Sequence, residues 1–391
     1  MISIRLISIR RSAAIGVIVT ATAGLLAGSG IWATAASADG TYLGGLNHND
    51  LVASTVPGNG DVNPYGVAVV PRTTGHLVQG DVLVSNFNNK ITTANPTGQQ
   101  GLGTTIMQVS PTGGVTQFAG LNGPVAGCPG GGVGFTTALV VLRSGWVIFG
   151  SLPTTDGTAS TLGKDGCLIV LDSSGNVREA FSGDGINGPW DMTALDLGGI
   201  AELFVTNVLN GIVPPPAGST TNSTANEGTV LRILIKIPHV GLPQRLNTTT
   251  IGSGFAETTD PAALIIGPTG VGLGRDGTLY VADTVNNRIA AIPEAASRSS
   301  DDGTGQTVTK KKNLMGPLGL AIAPNGDILT VNSGNGDIVE TTPKGMQVAD
   351  ETIDLSTPGG AGGDLFGLAV SLDGSAVYYV NDGNNMLYRL S

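Results

Sequence analysis

A 17-residue unit recurs three times in the C-terminal part of the chain, and such a repeat limits the fold before any local propensity does. Its first copy, Gly267 to Asp283, reads Gly-Pro-Thr-Gly-Val-Gly-Leu-Gly-Arg-Asp-Gly-Thr-Leu-Tyr-Val-Ala-Asp. It returns from Gly316 to Asn332 and from Leu365 to Asn381, with anchor glycines Gly270, Gly319 and Gly367 spaced 49 and 48 residues apart. Each copy is an apolar run, an Asp-Gly or Asn-Gly pair and a second β-branched or aromatic run. Glycine supplies the positive φ a tight hairpin needs, so the unit predicts two paired strands. A third strand follows at Arg288–Ile292, Asp337–Thr341 and Met386–Leu390. Four short strands per 40–50 residues is the pattern of a propeller blade.

The N-terminal half repeats the unit more loosely. Pro64-Tyr65-Gly66 opens a first copy, Thr137–Leu142 with Ser144-Gly145 a second, and Pro189-Trp190-Asp191 a third. The expected fold is all-β: one six-bladed β-propeller of four-stranded antiparallel blades. Its blades fall at about 63–120, 133–183, 188–256, 267–312, 316–356 and 364–391. The last unit stops after its third strand, and a spare strand at 50–56 is predicted to complete it, leaving no unpaired edge. A seventh, degenerate unit around Arg245–Phe255 is the alternative count.

Ahead of the repeats, Arg5, Arg10 and Arg11 precede an apolar run from Ala13 to Ala27 and an Ala36-Ser37-Ala38 site. That is the layout of a Sec-type signal peptide over 1–38, with 39–391 as one domain, secreted or held in the periplasm or cell envelope. The run is too short and diluted for a stable membrane span. The leader holds three of the 19 basic residues and no acidic ones, so the remainder carries 16 against 29, a charge of −13. Such a surface argues against nucleic acid, which needs clustered Lys and Arg. Cys128 and Cys167 are the only cysteines, and in an oxidising compartment they are expected to form a disulfide.

Leu279-Tyr280-Val281-Ala282-Asp283 with Asn286-Asn287-Arg288-Ile289, after Gly-Pro-Thr-Gly-Val, resembles an NHL repeat. The resemblance is specific over the last third of the chain and implies a six-bladed propeller. It implies no single activity, since such propellers include scaffolds and enzymes.

Loops entering a blade and loops joining its second and third strands share one face. There the units differ most: Phe87–Gly103, Leu152–Asp165 and Val208–Gly228 are long, whereas Thr284–Asn287 is short. Long loops on a rigid scaffold commonly carry binding. The first reading is therefore an extracytoplasmic binding module, with a glycan, peptide or envelope protein as partner. At the inner end of each second strand stand Asn86, Ser151, Asn207, Asp283, Asn332 and Asn381. A ring of short oxygen-bearing side chains suits a hard cation such as Ca2+. The same residue types also cap turns at strand ends. Asp191 departs from the repeat by replacing the anchor glycine, and with Asn207 and Asp283 it forms the candidate metal set. The second reading is thus a calcium-dependent hydrolase or lyase at the channel mouth, with Asp191 as candidate catalytic group. Resemblance to gluconolactonase-type lactonases would rest on that set, but their Glu at an inner-strand start has no counterpart here. His48, His76 and His239 lie on unrelated segments, and no Ser-His-Asp spacing or GxSxG occurs.

Overall fold

The computed structural model describes residues 40–391 except 94–99, 122, 130–132, 153–165, 212–222, 261–263 and 355–362. The leader, with its signal-peptide expectation, and the outer parts of the three long loops lie outside the described residues.

Six antiparallel sheets are arranged as the blades of a propeller, each numbered from its inner strand outward. Blade one contains Val62–Val69, Val82–Asn88, Thr105–Val109 and Val115–Gly120; blade two contains Phe135–Val141, Val147–Ser151, Cys167–Leu171 and Val177–Ser182. Blade three is the largest, with Gly188–Asp196, Ile200–Val208, Thr224–Lys236, Gln244–Asp260 and Leu264–Ile266. Blades four and five begin at Pro268–Leu273 and Pro317–Ile322 and end at Gln306–Lys310 and Gln347–Thr352. Blade six has Leu365–Val370, Val377–Asn381 and Met386–Leu390. Helix is confined, among the described residues, to two single 3-10 turns at Leu43–Gly45 and Thr284–Asn286. No described helix is long and apolar enough to cross a membrane.

The missing strand of blade six is Asn49–Ser54, antiparallel to Met386–Leu390 with Asn49 opposite Leu390 and Ser54 opposite Met386. It begins one residue earlier than the sequence pattern suggested. The closure extends upstream, where Asn47 and His48 donate N–H to the Ser391 carbonyl at 2.9 and 2.8 Å. The buried Glu340 carboxylate then accepts the N–H groups of Tyr42 and Leu43, both at 2.8 Å.

Arg245–Phe255 begins no seventh blade. It belongs to the 17-residue fourth strand of blade three, which outgrows its neighbours and turns back to pair Thr258 with Ile266. That fifth short strand also departs from the uniform four-stranded expectation. Threonine-rich and half-buried, the long strand extends because its partner, Thr224–Lys236, spans 13 residues.

Second strands such as Val147–Ser151 and Leu279–Asp283 are buried along their whole length, since each is covered by the blade on either side. Outer strands such as Val115–Gly120 show an exposed edge. A separate apolar cluster fills each seam between neighbouring blades, as with Leu139, Phe149 and Phe118 between blades one and two.

Cys128 and Cys167 are joined, with Cα atoms 5.5 Å apart, linking the segment that enters blade two to that blade's third strand. The bond spans 39 residues, for which chain entropy gives about 4 kcal/mol. A Cys128→Ser/Cys167→Ser double variant is expected to lose that amount in a denaturant melt. A loss under about 1 kcal/mol would show that packing alone holds the segment.

Candidate functional site

The tripeptide that opens each repeat is a β-bulge in every blade. In blade one the pairing jumps from Pro64–Asn86 to Val67–Val84, so Tyr65 and Gly66 together face Ser85. Blade three jumps from Pro189–Asn207 to Met192–Val205, which places Trp190 and Asp191 opposite Thr206. A bulge kinks the strand and re-aims its side chains. In blades one, three, five and six the residue before the anchor joins one cluster at the propeller axis. Tyr65 stacks on Phe87, Phe366 and Trp190 with ring centroids 4.5, 3.9 and 6.1 Å apart, and Leu318 completes the cluster. Tyr65, Phe366 and Leu318 are 2% exposed, so the stack fills the axis on the long-loop face.

The anchor glycine is needed because the bulge presses against the next inner strand. A Cβ on Gly270, Gly319 or Gly367 would stand 2.0–2.2 Å from a carbonyl oxygen of that neighbour. At Asp191 the seam admits a side chain and makes use of it. The Asp191 carboxylate accepts the N–H of Met192 at 2.8 Å and, across the seam, that of Val271 at 3.3 Å. Its own N–H donates to Thr206 Oγ1, which in turn donates to the Thr269 carbonyl at 2.6 Å. Below the stack lies an axial channel of about 320 Å3, walled by inner-strand residues of all six blades. Asp191 is its only ionisable lining group among the described residues, amid Val67, Val140, Leu273 and Leu320. Enclosure pushes the carboxyl up to about 7, with the Met192 and Val271 N–H groups pulling the other way.

All six second-strand residues are buried, and five do a common job. Asn86 Nδ2 donates to the Thr55 carbonyl at 3.0 Å, Asn332 Nδ2 to that of Asn313 at 2.7 Å. Ser151 Oγ accepts from Gly134 N–H at 3.0 Å, and Asn207 Oδ1 accepts from both Asn187 and Gly188 N–H at 3.0 Å. Asn381 Nδ2 donates to Asp354 at 2.9 Å. Each ties the segment leading into an inner strand to the end of a second strand. Asp283 instead holds Arg288, whose Nη2 and Nε lie 2.7 and 2.9 Å from Oδ2, and Asn286 at 3.0 Å. Arg288 continues to the Thr304 carbonyl and Thr307 Oγ1 and lies over the Phe255 ring.

The three residues of the candidate metal set share no partner. Asn207 Oδ1 already accepts two N–H donors, Asp283 neutralises a guanidinium, and Asp191 accepts two backbone N–H groups. Their oxygens do not fit a calcium ion as arranged, since a hard cation takes 6–8 free oxygen ligands. No group of three or more His, Cys, Asp or Glu gathers as a metal site among the described residues. His48 and His76 use their backbone N–H in strand closure and in a bond to Ser173, and His239 lines a cavity on the opposite face.

The anchors of the long loops escaped the sequence reading. Glu257, fully buried, accepts the N–H groups of Leu209, Asn210 and Gly211 at 2.7, 3.2 and 3.0 Å, rooting the blade-three loop. Asp61 accepts from Thr104 N–H and from the hydroxyls of Thr104 and Thr105, closing the blade-one loop. The disulfide does the same for blade two. Glu257 has no motif; only a carboxylate in a buried strand position hints at it. The residues before the anchors did carry a signal, with Tyr65, Trp190, Leu318 and Phe366 in equivalent places.

No family model matches the chain, and no curated protein matches it. Among solved structures, it is similar to a gluconolactonase from Xanthomonas campestris at 15% identity, covering 85% of this chain and 86% of that one with a TM-score of 0.51. It is likewise similar to regucalcin, a calcium-binding protein from Agrobacterium tumefaciens, at 13% identity over 87% and 94% of the two chains, TM-score 0.50. These likenesses establish the propeller fold.

Proposed function

We propose that this chain is an exported binding propeller that presents the long-loop face of blades one to three to an extracytoplasmic partner. The carrying observation is that each long loop has its own buried anchor: Asp61 in blade one, the Cys128–Cys167 bond in blade two and Glu257 in blade three. Fixed roots lower the entropy lost when a loop meets a partner, which is where preorganised binding gains its affinity. The axis on that face is filled by rings, and the polar positions around it are engaged by backbone or, at Asp283 and Asn381, by the side chains of Arg288 and Asp354. Recognition is thereby left to the loops.

A second reading, a metal-assisted hydrolase or lyase around Asp191, draws on the fold shared with the gluconolactonase and regucalcin and on a channel carboxyl near neutrality. The oxygens of Asn207 and Asp283, already engaged by N–H donors and by Arg288, weigh against it.

The deciding experiment measures binding of the chain to isolated cell envelopes of the producing organism. A variant has residues 153–165 and 212–222 replaced by short Gly-Ser linkers. Binding is expected to fall at least tenfold while the melting temperature is kept. Stoichiometric calcium by mass spectrometry, with lactone hydrolysis that Asp191→Ala abolishes, would overturn the binding reading in favour of the second.

A further inference from the structure

On the face opposite the long loops, a cavity of about 400 Å3 opens at the seam of blades two and three. Four hairpin turns form it, and they come from the two adjoining blades. Ser144, Gly145 and Trp146 lie in one turn of blade two and Asp172 and Ser173 in the other. Gly198 and Gly199, then Ile237 to Gly241, come from blade three. The Ile237 N–H donates to the Gly199 carbonyl at 2.8 Å and holds the two blade-three turns together. Its volume lies within the range of small-ligand sites, about 300–1,000 Å3.

The lining defines the ligand by its chemistry. Trp146 and Trp190 are the tryptophans of the described chain. Trp190 is sealed in the axial stack, whereas Trp146 is half-exposed on the cavity wall beside Pro238. A large indole left part-wet offers a flat apolar surface with a donor at its edge. Asp172, the one carboxylate in the lining, is already taken: it accepts from Ser174 and Asn176 N–H and from Arg178. Those bonds hold its carboxyl below the usual range against the opposing effect of burial. What stays available is polar and carries no carboxylate: the hydroxyls of Ser144 and Ser173, with the exposed His239 imidazole at the rim. A charge of −13 over residues 39–391 repels anions, and no free carboxylate waits for a cation.

We infer that this cavity binds a neutral pyranose, its C–H face against Trp146 and its hydroxyls on Ser144, Ser173 and His239. The site is independent of the long-loop face and of the function proposed for it.

The test is saturation-transfer NMR on the purified chain with methyl β-D-glucopyranoside, cellobiose, N-acetylglucosamine and chitobiose, and phenol as comparison. Ring C–H protons of at least one sugar are expected to receive saturation. Trp146→Ala should weaken that sugar at least tenfold. Because Trp146 also packs on a blade-seam cluster, a second variant guards against misfolding. Gly199→Leu fits, since a Cβ there meets nothing within 4 Å and its φ is not positive, and the side chain would occupy the cavity. Loss of sugar binding in Gly199→Leu with an unchanged melting temperature supports the inference. Saturation of phenol alone, of none of the sugars, or of a sugar equally in a folded Gly199→Leu variant would overturn it.

Discussion

Arg288→Met is expected to lower the unfolding free energy by about 3–5 kcal/mol, because it strands a charge in the interior. Asp283 is 0% exposed and Arg288 9% by side chain, and their contact closes the turn between the second and third strands of blade four. The guanidinium also reaches the loop before the outer strand through Thr304 and Thr307, so its removal loosens the blade at three levels. Replacing both partners with groups of similar shape, as Asp283→Asn/Arg288→Met, should recover most of the loss, since no ion is then left unpaired. Denaturant titration of the three proteins decides this. A single variant that melts within about 1 kcal/mol of the parent would mean that water or another group reaches Asp283. The same experiment bears on function. If Asp283 served chiefly as a metal ligand, Arg288→Met would improve calcium binding rather than cost stability.

Asp191 makes the second large effect, and its sign is opposite to that of a salt-bridged carboxylate. Its carboxyl rises from 3.8 unfolded to about 7 folded because enclosure disfavours the charged form. Between those values the folded chain holds a proton that the unfolded chain has released, so stability falls as pH rises from about 4 to 7. The full penalty, about 4 kcal/mol at most from roughly three pH units, is present above pH 7. Asp382 adds a trend of the same sign, pushed up to about 8 by burial and by the charges of Asp364 and Asp354. The difference between parent and Asp191→Asn therefore isolates Asp191. The variant should lose less stability between pH 5 and pH 8, by up to about 3 kcal/mol since roughly two pH units of the titration fall in that window, in melts at matched ionic strength. Parallel pH curves for the two proteins would place Asp191 in contact with bulk water.

Much of this architecture was legible in the residues alone. The 49- and 48-residue spacing of Gly270, Gly319 and Gly367 revealed blades because the same close approach recurs at each of those three seams. The truncated last unit and the spare N-terminal strand revealed the closure, and the cysteine pair followed from compartment and topology. Local period carries such information directly. The functional positions were less legible because their meaning depends on what stands across a seam. Asn207 and Asp283 occupy one repeat position, yet one staples a loop and the other neutralises Arg288. Asp191 was visible as a departure from the repeat. Its N–H donor, Val271, belongs to the next blade, 80 residues along the chain.

The sequence by itself determined the class, the blade number and the closing strand, since each follows from patterns repeated along the chain. Only the tertiary structure decided that aromatic rings fill the axis, that Glu257 and Asp61 root the long loops, and that Trp146 lines a cavity. Those outcomes arise where separate blades meet. Desolvation and hydrogen-bond satisfaction there depend on neighbours that no single repeat contains.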